Sequence, residues 1–314
     1  MLDFASVGCG YRIAHRCNPL ERLKMHAHML KSATGTFSRL YCLLIFLLAL
    51  TASLGIGQAA DSAGAALPRF LPAVPGSADV ARPGALRFLT ADDFPPFNFV
   101  DATGRLTGYN VELARAICAR LSIPCTVQAR PFPLLIQSLQ ENTGDAIIAG
   151  MADTPGLRTF VLYTEPYLRL PARFVMRKGQ AFEATPEGLR GAAVAVPKGT
   201  RYESFLKDFF PDVKRLATND LDGALALVRA GTARAVFGGA LPASFWLAGP
   251  QGRDCCAFVG GAYTETAYFG KGMTIAVAKN NPALKRALDE TLRGLEADGV
   301  LKDLYIKFFP VSLY

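Results

Sequence analysis

Histidine is nearly absent from this chain: there are three in 314 residues, His15, His26 and His28, and none after them. From residue 29 onward no imidazole is available to run a Ser-His-Asp or Cys-His mechanism, and the commonest transition-metal ligand is missing. Charge is also sparse. Asp, Glu, Lys and Arg make up 19% of the chain against 51% hydrophobic residues, the balance of a globular protein rather than a disordered one. The length suits one large domain or two ordinary ones. Neither a cofactor nor a metal is expected.

The one long uncharged run, Leu40 to Ile56, covers seventeen residues. Lys31 and Arg39 precede it, and Gly57, Gln58, Ala59 and Ala60 follow as a small-residue site. This is the layout of a secretory signal peptide cleaved near Ala59 or Ala60. The run is close to the lower length limit for a spanning helix, and no stop-transfer cluster follows it, which argues against a retained anchor. Cys42 opens the run instead of closing it, a poor position for lipid attachment. Met25 and Met29 each give a more ordinary basic start, so residues 1–24 read as upstream of the true beginning. Cleavage removes six basic and two acidic side chains, so the formal charge falls from +8 to +4. That leaves little electrostatic case for nucleic-acid binding. Cys9, Cys17 and Cys42 are lost too. The remaining Cys118, Cys125, Cys255 and Cys256 suit disulfides in an exported chain better than metal ligation.

Residues 61–84, rich in Ala, Pro, Gly and Ser and without periodicity, read as a flexible lead-in. Leu86 to Thr90 reads as a strand that ends at Pro95-Pro96, since consecutive prolines remove ladder donors. Asp101 to Gly108 is turn-rich. Val111, Ala114, Ile117, Cys118 and Leu121 keep helical spacing until Pro124, and Thr126 to Gln128 is a second strand. Phe132 to Leu139 is helical and leads to Ala146-Ile147-Ile148-Ala149, a short buried strand. That strand breaks at Gly150, and Asp153-Thr154-Pro155 then has the chemistry of a helix start able to hold an anion, with Arg158 one turn in. The same grammar repeats: a strand at Ala192 to Val196, a turn through Pro197 to Thr200, helices near 202–209 and 222–230, and a strand at Ala233 to Phe237. A strand at Thr274 to Ala278 and a long helix opened by Pro282 close the chain. Alternating strands and helices predict α/β architecture with parallel sheets.

Several ordered segments carry a family resemblance. They are Phe94-Pro95-Pro96-Phe97, Leu106 to Ala114 (LTGYNVELA), Asp145 to Met151 (DAIIAGM), Thr164-Glu165-Pro166-Tyr167, Lys198-Gly199-Thr200, and Ala297 to Tyr305 (ADGVLKDLY). Over residues 85–309 the sequence resembles the periplasmic solute-binding proteins of polar amino-acid ABC transporters, bacterial extracellular solute-binding protein family 3. The resemblance implies a two-lobed fold of the periplasmic-binding-protein type. Lobe 1 would span residues 85–169 plus 274–314 and lobe 2 residues 170–273, with two crossing strands near 168–174 and 268–273. It also implies a ligand held in the cleft, closure by a hinge, a periplasmic location, a monomer, an ABC transporter permease as partner, and no enzymatic activity. Gly270 and Gly272 suit the return crossing.

The resemblance also supplies candidate ligand contacts. Phe94 and Phe132 match aromatic positions against the ligand side chain, and Gly150 and Thr154 match positions that meet an amino-acid head group. Three departures bear on the ligand. The family arginine that clamps the α-carboxylate stands three residues after the threonine, but here that residue is Leu157 and the arginine is Arg158, about 100° further around a helix. Gly239 stands where amino-acid binders place the acid that receives the ligand ammonium. Arg201 follows Gly199-Thr200 in place of a small hydroxyl, and an arginine there can take a carboxylate through two parallel hydrogen bonds. These changes point to a small carboxylate-bearing solute, an amino acid or a related organic anion. Cys118 and Cys125 match a disulfide of some basic amino-acid binders, whereas the adjacent Cys255 and Cys256 stay open between free thiols and a vicinal pair. Two other functions remain in view. Some dehydratases of cyclohexadienyl acids resemble the family, with Asp153, Glu165 and Glu265 as the available acids here, although no matched carboxylate pair stands out. A sensor or accessory binding protein without a transporter is the other.

Overall fold

A computed structural model describes Leu71 and residues 83–181 and 183–314; the expected signal segment and most of the lead-in lie outside the described residues. The chain begins with β1 (Leu86–Thr90), β2 (Asp93–Phe94), β3 (Asn98–Val100) and β4 (Leu106–Thr107), and then enters α1 (Tyr109–Leu121). Helix α1 starts at Gly108, with φ +121°, where an added Cβ would lie 2.3 Å from the Phe97 carbonyl oxygen, so only glycine lets the two backbones approach. Its buried face carries Leu113, Ala114, Ile117 and Leu121. β5 (Cys125–Ala129), α2 (Leu135–Gln140), β6 (Ala146–Ile147) and β7 (Val161–Tyr163) follow.

The chain next builds β8 (Ala172–Arg177), β9 (Ala193–Pro197), α3 (Arg201–Phe209), β10 (Lys214–Thr218), α4 (Leu221–Arg229), β11 (Ala235–Gly239), α5 (Ala240–Ala248), β12 (Cys256–Tyr263) and a helical turn α6 (Thr266–Phe269). It then returns as β13 (Ala276–Ala278), α7 (Pro282–Ala297) and α8 (Val300–Phe308). Two five-stranded sheets result, ordered β5-β1-β6-β13-β7 and β10-β9-β11-β8-β12. β1 pairs in parallel with β5 and β6, and β9 with β10 and β11, as βαβ units require. β13 runs antiparallel to β6 and β7, and β8 runs antiparallel to β11 and β12. The fold is therefore two-lobed α/β.

The lobes communicate through two segments. Leu168 and Met273 form an antiparallel bridge, with Tyr167 N donating to Met273 O at 2.9 Å and Met273 N to Leu168 O at 2.7 Å. Gly272, at φ +118°, makes this pairing possible, because a Cβ there would lie 2.7 Å from the Leu168 carbonyl oxygen. On the return, Thr266–Phe269 is helical, so extended chain resumes only beyond it. The crossing is anchored by a buried polar chain. Tyr167 OH donates to Asn110 Oδ1 at 2.7 Å, Asn110 Nδ2 donates to Asn98 Oδ1 at 2.8 Å, and Asn98 Nδ2 donates to Ala91 O at 3.1 Å. Burial pushes the Tyr167 hydroxyl well above the ordinary tyrosine pKa, so it stays a donor.

Several elements differ from the sequence expectations. The helix expected from Asp153-Thr154-Pro155 is only a 3-10 turn over Leu157–Thr159, because the chain must turn directly into β7 and Lys279 N already claims the Phe160 carbonyl at 3.0 Å. A turn that short supplies no helix N-terminus for an anion. β10, β12, α5 and α8 had not been expected as elements. Leu71, inside the stretch read as a flexible lead-in, is buried against the lobe-1 core, and its N–H donates to Glu296. Cys118 and Cys125 are disulfide-bonded with Cα atoms 6.0 Å apart, tying the end of α1 to β5. Cys255 and Cys256 are bonded to each other.

Replacing Asn110 with alanine removes the middle of the polar chain and strands the Tyr167 hydroxyl. We expect Asn110→Ala to lower unfolding stability by about 3 kcal/mol and Tyr167→Phe to lower it by less, as read from urea midpoints. Equal, sub-kilocalorie effects would mean that the chain is dispensable.

Candidate functional site

Strand ends place the candidate residues. Phe94 follows β1, Phe132 follows β5, Gly150 and Thr154 follow β6, Thr200 and Arg201 follow β9, and Gly239 ends β11. All five are strands of the parallel pairings, and each residue lies at or beyond a carboxyl end, where open α/β sheets leave a crevice for ligand.

On lobe 1, Phe94 is 40% exposed for a large apolar ring, and its centroid sits 4.9 Å from that of Phe97. Gly150, at φ +69°, lies beneath it. An added Cβ would stand 2.9 Å from the Phe94 ring and 3.3 Å from the Met273 methyl, so Gly150, Phe94 and Met273 form one contiguous surface. Met273, from the return crossing, was not anticipated from sequence; it has no motif, and only the tertiary fold brings it here. Phe132 opens a 3-10 turn and is 45% exposed. Thr154 Oγ1 accepts from Leu157 N at 3.3 Å, capping the short turn.

Arg158 is committed elsewhere. Its guanidinium grips Asp153 through Nε and Nη2, and the Asp153 carboxylate also lies 3.5 Å from Lys271 Nζ. The hydrogen bonds from Arg158 hold the Asp153 pKa below the usual carboxylate range, against partial burial and with help from both cationic charges. Glu165 is similarly occupied, by Arg293 Nε at 3.1 Å and Nη2 at 2.9 Å. The Glu265 carbonyl caps the turn α6, accepting from Tyr268 N at 3.0 Å and Phe269 N at 2.8 Å.

On lobe 2, the Thr200 hydroxyl is spent locally. It donates to Pro197 O at 2.7 Å and accepts from Glu203 N at 3.4 Å, while Glu203 Oε2 accepts from Gly199 N at 2.6 Å, a reciprocal cap that starts α3. Arg201 is exposed and, among the described residues, pairs with no carboxylate. It lies over the Tyr202 ring at 5.3 Å and donates to Tyr202 OH at 3.3 Å. Tyr202 is the second residue that sequence reasoning missed. A Cβ on Gly239 would fall 2.6 Å from its hydroxyl oxygen, so the phenol fills the space that a longer side chain at 239 would need. Tyr202 also stacks on Phe269, with ring centroids 5.8 Å apart. The geometry thus joins Phe94 with Gly150, and Arg201 with Tyr202 and Gly239, and it turns Arg158 toward Asp153.

This architecture and these walls define a two-lobed solute-binding protein. Residues 86–311 match the bacterial extracellular solute-binding proteins, family 3, and the chain belongs to that family. It is a binding protein, not an enzyme, of a family that binds small amino-acid ligands and works with ABC transporters. It is 32% identical to the putative ABC transporter arginine-binding protein 2 of Escherichia coli K12 over 71% of this chain and 90% of that protein. It is also 28% identical to the lysine/arginine/ornithine-binding periplasmic protein of the same organism, over 76% and 92%. In structure it is similar to the unliganded, open L-cystine solute receptor of Neisseria gonorrhoeae, with TM-score 0.62 and 20% identity over 73% of this chain and 94% of that one.

Gly150→Ala would force a side chain into a positive-φ position and against Phe94. We expect a stability loss of about 1–2 kcal/mol and a displaced Phe94 ring, with weaker ligand binding measured by calorimetry on the folded variant. Unchanged affinity would remove Gly150 and Phe94 from the ligand surface.

Proposed function

We propose that this protein is the periplasmic receptor of an ABC importer and captures a small carboxylate-bearing solute, an amino acid or a related organic anion. On this reading a cleaved signal peptide exports it, it acts as a monomer, and its partner is a transporter permease. Residues 85–169 plus 274–314 and residues 170–273 are the two lobes that close over ligand. The observation that carries the ligand class is Arg201, an exposed guanidinium at the carboxyl end of β9 that has no carboxylate partner among the described residues. We assign the carboxylate to Arg201, because Asp153 already occupies Arg158. Phe94, Phe132 and Tyr202 supply aromatic surface, Gly150 offers backbone groups, and the caps at Thr154 and Thr200 shape the two rims. One relative is named as a putative arginine-binding protein and another as a lysine/arginine/ornithine-binding protein, which supports an amino-acid-like solute. Gly239 beside the Tyr202 hydroxyl supplies no negative charge for a ligand ammonium, and burying that ammonium without one is costly. This favours a ligand whose nitrogen is absent, neutral or directed elsewhere.

Native mass spectrometry of protein purified from its source compartment should reveal a retained small carboxylate. A retained sugar, polyamine or other species without an acid group would contradict the assignment. Arg201→Ala should weaken binding of that ligand by roughly ten- to a hundredfold, the worth of a charge-assisted bidentate pair, and Arg158→Ala should change it little. The reverse ranking would return the clamp to Arg158.

A further inference from the structure

A second basic pocket lies away from the strand ends that carry the candidate cleft. β8 sends Phe174 into one apolar layer of lobe 2 and Val175 into the other, and Arg173 shares the face of Val175. An arginine at that position interrupts a buried run that is otherwise apolar up to the exposed Arg177 at the strand end. It is only 7% exposed. Its Nη2 donates to Gly260 O at 2.9 Å and its Nη1 to Leu313 O at 3.3 Å, its guanidinium carbon lies 4.9 Å from the centre of the Phe258 ring, and its buried Nε has no partner. Among the described residues no carboxylate lies within ion-pair distance of it. A buried guanidinium with carbonyl partners alone has its dipoles satisfied but its charge unbalanced, and burial accordingly lowers its pKa.

Arg173 borders a cavity of about 580 Å³ between the end of α5, β12 and the C-terminal tail. Among the described residues two more cations line it, Lys178 and Arg253, and no aspartate or glutamate does; Tyr314, at the end of this sequence, lines it as well. Lys178 Nζ donates to the Arg253 carbonyl at 2.6 Å, which holds the two side chains' bases together. The nearest acid to Arg253 is Asp254, outside the lining, at the 4.0 Å limit of an ion pair and largely solvated. The rest of the wall is mainly apolar, including Leu247, Phe258 and Val311. Three cations around an apolar hollow, one of them buried with no aspartate or glutamate of the described residues within ion-pair distance, are complementary to an anion that carries an apolar body.

We propose that this pocket is a second ligand site, for a small organic anion whose acid group faces Arg173, Lys178 and Arg253 and whose apolar part lies on Phe258, Leu247 and Val311. The inference is independent of the ligand assigned to the cleft. Its test is calorimetric titration of the full exported chain with benzoate and with phenylphosphonate, and with neutral benzamide as the control. Saturable binding of the two anions but not of benzamide is expected. Lys178→Ala/Arg253→Ala, which changes only exposed side chains, should weaken it at least about tenfold with an unchanged melting temperature. Arg201→Ala should leave it intact. Arg173→Met, where it folds, should abolish it. The proposal is overturned if the wild type binds neither anion at millimolar concentration, if the double variant binds as the wild type does, or if Arg201→Ala is the change that removes binding.

Discussion

Two segments of chain join the lobes, and the strain-free approach of their backbones at Leu168 and Met273 governs what the rest can do. Gly272 allows the approach sterically, and the two backbone hydrogen bonds of Met273 fix the register. Tyr167, Leu168, Met273 and Ile275 all belong to the lobe-1 core, so the joint is rooted in one lobe and the other extends from it. The Tyr167, Asn110 and Asn98 chain carries that rooting through to Ala91, in the link between β1 and the short strand β2 that ends at Phe94. Glu165 adds a second tie, since its carboxylate is held by Arg293 and its N–H donates to Asp289 Oδ1 at 2.8 Å, both on α7. The crossing is not the sole tie, since Arg173 of lobe 2 donates from Nη1 to Leu313 O of the C-terminal tail at 3.3 Å.

The same joint bears on specificity. Met273 reaches from the crossing to the surface shared by Phe94 and Gly150, and Lys271, two residues earlier, reaches Asp153. The proposed ligand surface on lobe 1 is therefore joined to the return crossing through side chains of a single short segment. Lobe 2 contributes a different chemistry: an aromatic group of Tyr202 and Phe269 with a cation laid over it. The phenol against Gly239 replaces a charge with a hydroxyl, which lowers the desolvation cost of the wall but leaves an ammonium without a partner.

The α/β class was legible because helical spacing in α1 and α7 and the short apolar strands β1, β6, β9 and β11 are local signals. β10 and β12 were not, since Lys214 to Thr218 (KRLAT) opens on two adjacent cations and buries no residue at its sheet edge, and β12 carries Gly260 and Gly261. The stretch after Gly150 misled because Thr-Pro has the chemistry of a helix start, while the need to enter β7 cuts the turn short. Among the proposed site residues, Phe94 and Gly150 lie in ordered motifs, Arg201 follows one, and Gly239 could be named from its corresponding position. Tyr202 and Met273 could not, because their roles come from what lies opposite them in space, and Arg158 could be named but not aimed.

The central claim is that the cleft recognises a carboxylate without a dedicated acid for an ammonium. Calorimetric titration with a matched pair, an α-amino acid and its deaminated counterpart with the same side chain, tests it most directly. The account predicts that the deaminated acid binds at least as tightly. Tight binding of the unmodified amino acid with no binding of its deaminated counterpart would contradict it.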